Sequence, residues 1–245
     1  MAFTIERTDT TDGSVIKAEH DVEVDWSDQT GWFDPERCTS SVTIIGCGGI
    51  GSNVAFELIT MGFRRFVLYD DDAVEQRNLA SQKAYRHSDL YKKKTEALAQ
   101  VLIEYGATEV TIHSRRFVAD DEIDSPIVIG AVDSMASRKT IWEAVENSPD
   151  VEMYLDGRLE GEIAQIFAVD PYSADWYTTS WLFSDEEASN VGTCTMRAIV
   201  YPATIMASVM CRHLSLWFRG KPVCRFVQAD MVNLEFTKMG DFEEE

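Results

Sequence analysis

The residues of this chain best suited to chemistry are four glycines, three consecutive aspartates, a lysine run and one further aspartate. Gly46, Gly48, Gly49 and Gly51 close the apolar run Ser41-Val42-Thr43-Ile44-Ile45 and open a helical pattern. Glycines at such a turn let the backbone approach a phosphate, and the N–H groups that begin the helix carry partial positive charge. The next apolar run, Phe66-Val67-Leu68-Tyr69, delivers Asp70, Asp71 and Asp72. A carboxylate at that strand end can hold ribose hydroxyls. Taken alone, the glycines fit a nicotinamide, a flavin or ATP. Two later features favour ATP. Lys92-Lys93-Lys94 offers a cation to neutralise a triphosphate, and Asp133, after Ala131-Val132, offers a carboxylate to hold magnesium. An enzyme that splits ATP between its α and β phosphates needs both. A dehydrogenase needs neither.

Cysteine adds a second kind of chemistry. Cys194 sits in Gly192-Thr193-Cys194-Thr195-Met196-Arg197, between a polar stretch and an apolar helical pattern. A thiol near a helix N-terminus and Arg197 would ionise more easily and become the better nucleophile. The alternative is an incidental thiol at a loop end. Cys47 reads as a small packing residue, and Cys211 and Cys224 as helix and strand packing.

An alternation of strands and helices must position these groups. The pattern predicts a helix from about Ile50 to Met61, ended by Gly62, and another near Thr95 to Tyr105, closed by Gly106. Strands are expected at Val110 to His113, Ile127 to Ile129 and Ile163 to Val169, with a helix from about Met135 to Glu146. Leu155 to Glu162 reads as a tight turn, Tyr172 to Thr193 as a long surface loop, Ile199 to Phe218 as an apolar helix, and Val223 to Val232 as a closing strand. The whole is an α/β fold: a doubly wound, Rossmann-like, mainly parallel sheet with an extra C-terminal strand region. Three parts are expected: an arm or edge element over 1–40 pinned by Trp26, Trp32 and Phe33, the main domain over 41–238, and an acidic, frayed tail over 239–245.

Composition narrows the function classes. With 22 basic and 42 acidic residues the net charge is −20, which argues against nucleic-acid or anionic-membrane binding. The excess fits solubility, a salt-adapted source, or an acidic face for a basic partner. No apolar run is long enough to cross a bilayer, and residues 1–25 lack a signal-peptide pattern, so a cytoplasmic protein with reduced cysteines is expected. The five cysteines show no C-x-x-C spacing, so no zinc site is expected.

The ordered set G-C-G-G-I-G-S, D-D-D-x-V, N-L-x-x-Q, D-L-x-x-x-K and A-V-D-S-M-x-x-R resembles the ubiquitin-activating-enzyme-like superfamily that includes ThiF, MoeB and HesA. The resemblance runs from about Pro35 to Gly220. It implies a ThiF/MoeB-like fold, commonly a homodimer, acting as a Mg-ATP-dependent adenylyltransferase. The substrate it implies is a carboxylate, commonly the C-terminal glycine of a ubiquitin-fold or sulfur-carrier protein with a flexible tail. By the same resemblance Gly46, Gly48, Gly49 and Gly51 form the turn beneath ATP, and Asp70 binds the ribose with Asp72 also at the nucleotide. Arg77, Asn78 and Ser81 then line the phosphate side, Lys94 contacts the phosphates, and Asp133 coordinates magnesium with Ser134 beside it. A transfer cysteine often occupies the junction where Cys194 stands, and would take the acyl group as a thioester.

Three departures matter. An arginine usually follows N-L in the loop (N-L-x-R-Q), but Ser81 stands there, with Arg77, Arg138 and Arg158 as substitutes to consider. Arg77 fits either a ligand contact or a surface ion pair, and Arg158 either a ligand contact or a turn. The paired C-x-x-C motif of many members is missing, and no N-terminal arginine segment is recognisable, although Arg7 and Arg37 could serve. The alternatives are therefore a non-catalytic nucleotide-binding partner subunit, a tRNA-modifying dehydratase relative, and a nicotinamide oxidoreductase.

Overall fold

Short runs of alternating apolar residues form the strands that set the frame. The computed structural model describes residues 3–21, 24–29, 33–184 and 199–241. Five parallel strands make its centre: β3 (Ser41–Ile45), β4 (Arg65–Tyr69), β5 (Glu109–His113), β6 (Ile127–Gly130) and β7 (Met153–Glu160). Their spatial order is β5-β4-β3-β6-β7, so the strand order reverses beside β3. In such sheets ligands bind outside the carboxyl ends of the strands, at that reversal.

Register brings those ends level. Ile45 lies opposite both Tyr69 and Gly130, Tyr69 opposite His113, and Gly130 opposite Asp156. The next residues along three of these strands are Gly46, Asp70 and Ala131, so the glycine turn, the triple aspartate and the Asp133 loop share one rim.

Side-chain alternation assigns the two faces. Val42, Ile44, Phe66, Leu68, Ile127 and Ile129 pack with α1 (Gly49–Met61), α2 (Lys94–Glu104) and α5 (Val200–Phe218). Val128, Tyr154 and Phe167 pack on the opposite face with α3 (Met135–Asn147) and α4 (Asp175–Trp181). Helix α1 stops where Gly62 takes φ +123°, a conformation in which a Cβ would also lie 2.8 Å from the Pro35 Cβ.

Antiparallel strands flank this core. β1 (Phe3–Asp9) and β2 (Ser14–His20) form a hairpin joined to β5, while β8 (Ile163–Val169), β9 (Cys224–Asp230) and β10 (Glu235–Asp241) extend the other side into a ten-stranded sheet. Within 1–40, β1 and β2 form one edge of the sheet. Other expectations are corrected here. A boundary between 238 and 239 would cut β10. Leu155 to Glu160 lies within β7, and the turn comes at Gly161, with φ +58°. The stretch from Tyr172 carries α4, anchored by buried Tyr177, rather than an uninterrupted loop. Phe33 is buried and Arg64 lies 4.9 Å over the Trp26 ring, while Trp32 and Cys194 fall outside the described residues.

Candidate nucleotide site

The glycine turn is held by two close backbone approaches. Gly46 has φ +94°, and a Cβ there would lie 2.5 Å from the Ala131 carbonyl oxygen. A Cβ on Gly51 would lie 1.8 Å from the Gly46 carbonyl oxygen. Gly48 differs: a Cβ there meets nothing within 4 Å. Space beside a backbone that could carry a side chain is what a phosphate cradle requires. Gly48 caps α1 without any side-chain hydrogen bond, and Gly49 begins the helix, so the N–H groups of its first turn remain available as donors.

Asp70 joins the turn to the end of β4. One of its carboxylate oxygens accepts from the Cys47 N–H at 2.7 Å and the other from the Asp72 N–H at 2.8 Å. Burial pushes the Asp70 carboxyl above its ordinary value, against the pull of Lys94 and these two N–H groups. Tyr85 supports the same turn by donating its hydroxyl to the Cys47 carbonyl at 2.6 Å. Cys47 is buried and its thiol is pushed well up by that burial, which suits packing rather than nucleophilic attack.

Lys94, at the start of α2, is buried and its ammonium donates to Asp72 at 2.6 Å. This hydrogen bond is the chief cause holding the Asp72 carboxyl below its ordinary value. Carboxylate oxygens of Asp70, Asp71 and Asp72 lie within 4.8 Å of one another. Across the rim, Asp133 is exposed and forms no hydrogen bond or ion pair among the described residues. Ser134 caps α3, its hydroxyl oxygen accepting from the Ser137 N–H at 3.1 Å. These features suit magnesium and a nucleotide: open carboxylate oxygens, a buried ammonium, and a cradle that one methyl group would fill.

Around the loop, Asn78 is buried and its side-chain oxygen accepts from the Glu75 N–H at 2.8 Å, closing the 3-10 turn Gln76–Ala80. Ser81 ends that turn, its N–H donating to the Asn78 carbonyl at 3.1 Å. The substitutes considered for the missing loop arginine are engaged elsewhere. Arg77 pairs with Glu75 on the surface. Arg138 and Arg158 both grip buried Asp156, at 2.9 and 2.7 Å. Burial alone would raise the Asp156 carboxyl, but Arg138 and Arg158 outweigh it and hold it below its ordinary value.

Three residues at the rim escaped sequence reading. Arg116 follows β5 and pairs with Asp71 at 2.9 Å while remaining exposed. Tyr85 and Asp156 are the other two. Only the position of Arg116 just past an apolar run could have pointed to it, because all three have partners distant in sequence.

Comparison with known proteins supports the same fold. The chain is 33% identical over 116 residues to the NEDD8-activating enzyme E1 catalytic subunit of Arabidopsis thaliana, covering 45% of this chain and 25% of that protein. It is 31% identical over 107 residues to the sulfur carrier protein ThiS adenylyltransferase of Escherichia coli K12, covering 42% and 43%. The match thus spans about a quarter and under half of these two relatives. Among solved structures, E. coli MccB with MccA-N7isoASN superposes with a TM-score of 0.65 at 17% identity, over 84% of this chain and 66% of that one. MccB has also been solved with ATP, at a TM-score of 0.64 and 16% identity, over 84% and 65%. No described helix is long and apolar enough to cross a membrane. The ThiF family profile matches residues 37–243, and the chain belongs to that family.

Proposed function

We propose that this chain is a Mg-ATP-dependent adenylyltransferase that activates a carboxylate, the C-terminal glycine of a ubiquitin-like or sulfur-carrier protein. The observation carrying this reading is the common rim on which the glycine turn, the Asp72–Lys94 pair and Asp133 meet. It is supported by relatives named as an activating enzyme and an adenylyltransferase. A carboxylate oxygen of the acceptor attacks the α-phosphorus of ATP, the bond to the β-phosphate oxygen breaks, and pyrophosphate leaves. The carboxylate is already a nucleophile, so the protein's task is positioning and charge neutralisation. The first turn of α1 and Lys94 would face the phosphates, Asp70 the ribose, and Asp133 would hold magnesium. That ion would offset the negative charge of the triphosphate.

Exchange of radiolabelled pyrophosphate into ATP tests the reading, with acceptor proteins ending in Gly-Gly. Acceptor-dependent exchange, lost in Asp133→Ala, is the expected result. ATP binding without exchange for any such acceptor would instead favour the non-catalytic partner subunit, the reading that Ser81 motivates. A homodimer in the cytoplasm and a thioester on Cys194 belong to the same proposal. Cys194→Ala is expected to leave exchange intact and to abolish a thiol-sensitive acceptor adduct on gels. An adduct that survives the substitution would place the nucleophile elsewhere.

A further inference from the structure

The two peptide carbonyls that flank Asp133 share one donor. Arg138, one turn into α3, donates to the Val132 carbonyl at 2.6 Å and to the Ser134 carbonyl at 3.3 Å. The same guanidinium donates to Asp156 at 2.9 Å and to the Gly157 carbonyl at 2.9 Å, both on β7. Asp156 is fully buried, and its other oxygen accepts from Arg158 at 2.8 Å and from the Tyr177 hydroxyl at 2.9 Å. Arg158 is in turn fixed to the Trp181 carbonyl at 2.9 Å, at the end of α4. The loop bearing Asp133 is thus tied to β7 and α4 by a buried relay of charged groups.

We infer that Arg138 is a positioning residue for Asp133, held in place by Asp156, and that this relay sets the presentation of the Asp133 carboxylate to a divalent cation bound with a nucleotide. The inference rests on the proposed role of Asp133 and names the device that enforces it. Fold stability alone is a poor reason for such a cluster. Replacing buried ion pairs and triads with apolar residues of similar volume is often neutral or stabilising. A planar fork that reaches three carbonyls and a carboxylate at once supplies a fixed geometry that a lysine could not. Two guanidinium groups against one carboxylate also leave one positive charge in excess beneath a rim lined with carboxylates.

The test is equilibrium binding of a fluorescent ATP analogue to the full chain, with magnesium and with EDTA. The variants are Arg138→Lys, Asp133→Asn and the double substitution, with thermal melting to verify the fold. Arg138→Lys is expected to weaken binding about tenfold in magnesium, in the range seen when residues supporting metal ligands are altered, and to leave binding in EDTA unchanged. In the Asp133→Asn background it is expected to have no further effect, because it acts through that carboxylate. Equal weakening with and without magnesium, or a full effect in the Asp133→Asn background, would overturn the inference and make Arg138 a packing residue. If Asp133→Asn matters and Arg138→Lys does not, the relay alone is refuted. If neither alters binding in magnesium, the role of Asp133 falls and takes the relay with it. Should Arg138→Lys fail to fold, Tyr177→Phe removes only one donor to Asp156. A smaller loss confined to magnesium would then support the relay, and no change would refute it.

Discussion

Neighbouring glycines in the turn do different work. Gly51 is excluded from bearing a side chain by the protein's own backbone, whereas Gly48 faces open space. Gly51→Ala is therefore expected to yield little folded protein. Gly48→Ala is expected to fold with a loss of at most about 1 kcal/mol, the scale of an N-cap change, and to bind ATP poorly. Thermal melting and nucleotide titration of the two variants separate these outcomes, and intact ATP binding by Gly48→Ala would contradict the cradle. Lys94 makes a second residue-scale case. Its hydrogen-bond partner Asp72 is mostly exposed, and Asp70, which also feels its charge, keeps the Cys47 and Asp72 N–H donors, so Lys94→Met leaves neither carboxylate without partners or solvent. A drop in pyrophosphate exchange of about a hundredfold, with the melting temperature nearly unchanged, is expected for loss of a preorganised cation. A large loss of stability instead would make Lys94 a structural residue. The glycines, Asp70, Lys94 and Asp133 were legible because each lies beside an apolar run or a helix start. Arg116 and Asp156 were not. Their meaning lies in partners far away in the chain, Asp71 for one and Arg138 with Tyr177 for the other.

At the level of elements, strands with a buried face announce themselves and strands without one do not. All four residues of β6 are buried, and the continuous apolar run predicted it. β1 exposes nearly all of Phe3–Asp9, so its sequence carries little hydrophobic signal and it read only as an arm or edge element without a defined strand. Only Tyr177 of α4 is buried, so that helix was hidden in a polar stretch. That tyrosine ties α4 to Asp156, which makes acid a probe of the packing between α4 and β7. The Asp156 carboxyl is held below its ordinary value of 3.8 in the folded chain, so its contribution to stability is present above that pH. It is lost as the pH falls through the depressed folded value. Between pH 4 and pH 2, wild type is expected to lose more stability than Asp156→Asn, which starts less stable at neutral pH. Parallel acid denaturation curves for the two would show that Asp156 is not the group concerned.

For the molecule as a whole, the chief legible fact was the alternation of strands and helices, which gives four of the five central strands and their shared rim, while β7 was hidden because its Leu155 to Glu160 stretch read as a turn. The outer parts of the antiparallel flanks carry weaker patterns, because residues 235–240 of β10 are exposed and the N-terminal hairpin is mostly polar. The net charge of −20 belongs to this scale too. It leaves the lysine at the rim, the helix N-terminus and a bound cation as the means of drawing in a triphosphate, which predicts ATP affinity that falls steeply when magnesium is withdrawn. The central claim is that ATP occupies the rim between β3, β4 and β6, and a crystal grown with ATP and magnesium tests it most directly. The account predicts the triphosphate over Gly48 and the first turn of α1, with the Lys94 ammonium drawn from Asp72 towards the phosphates and the metal at Asp133. A nucleotide bound elsewhere, or a vacant rim with Lys94 still on Asp72, would contradict it.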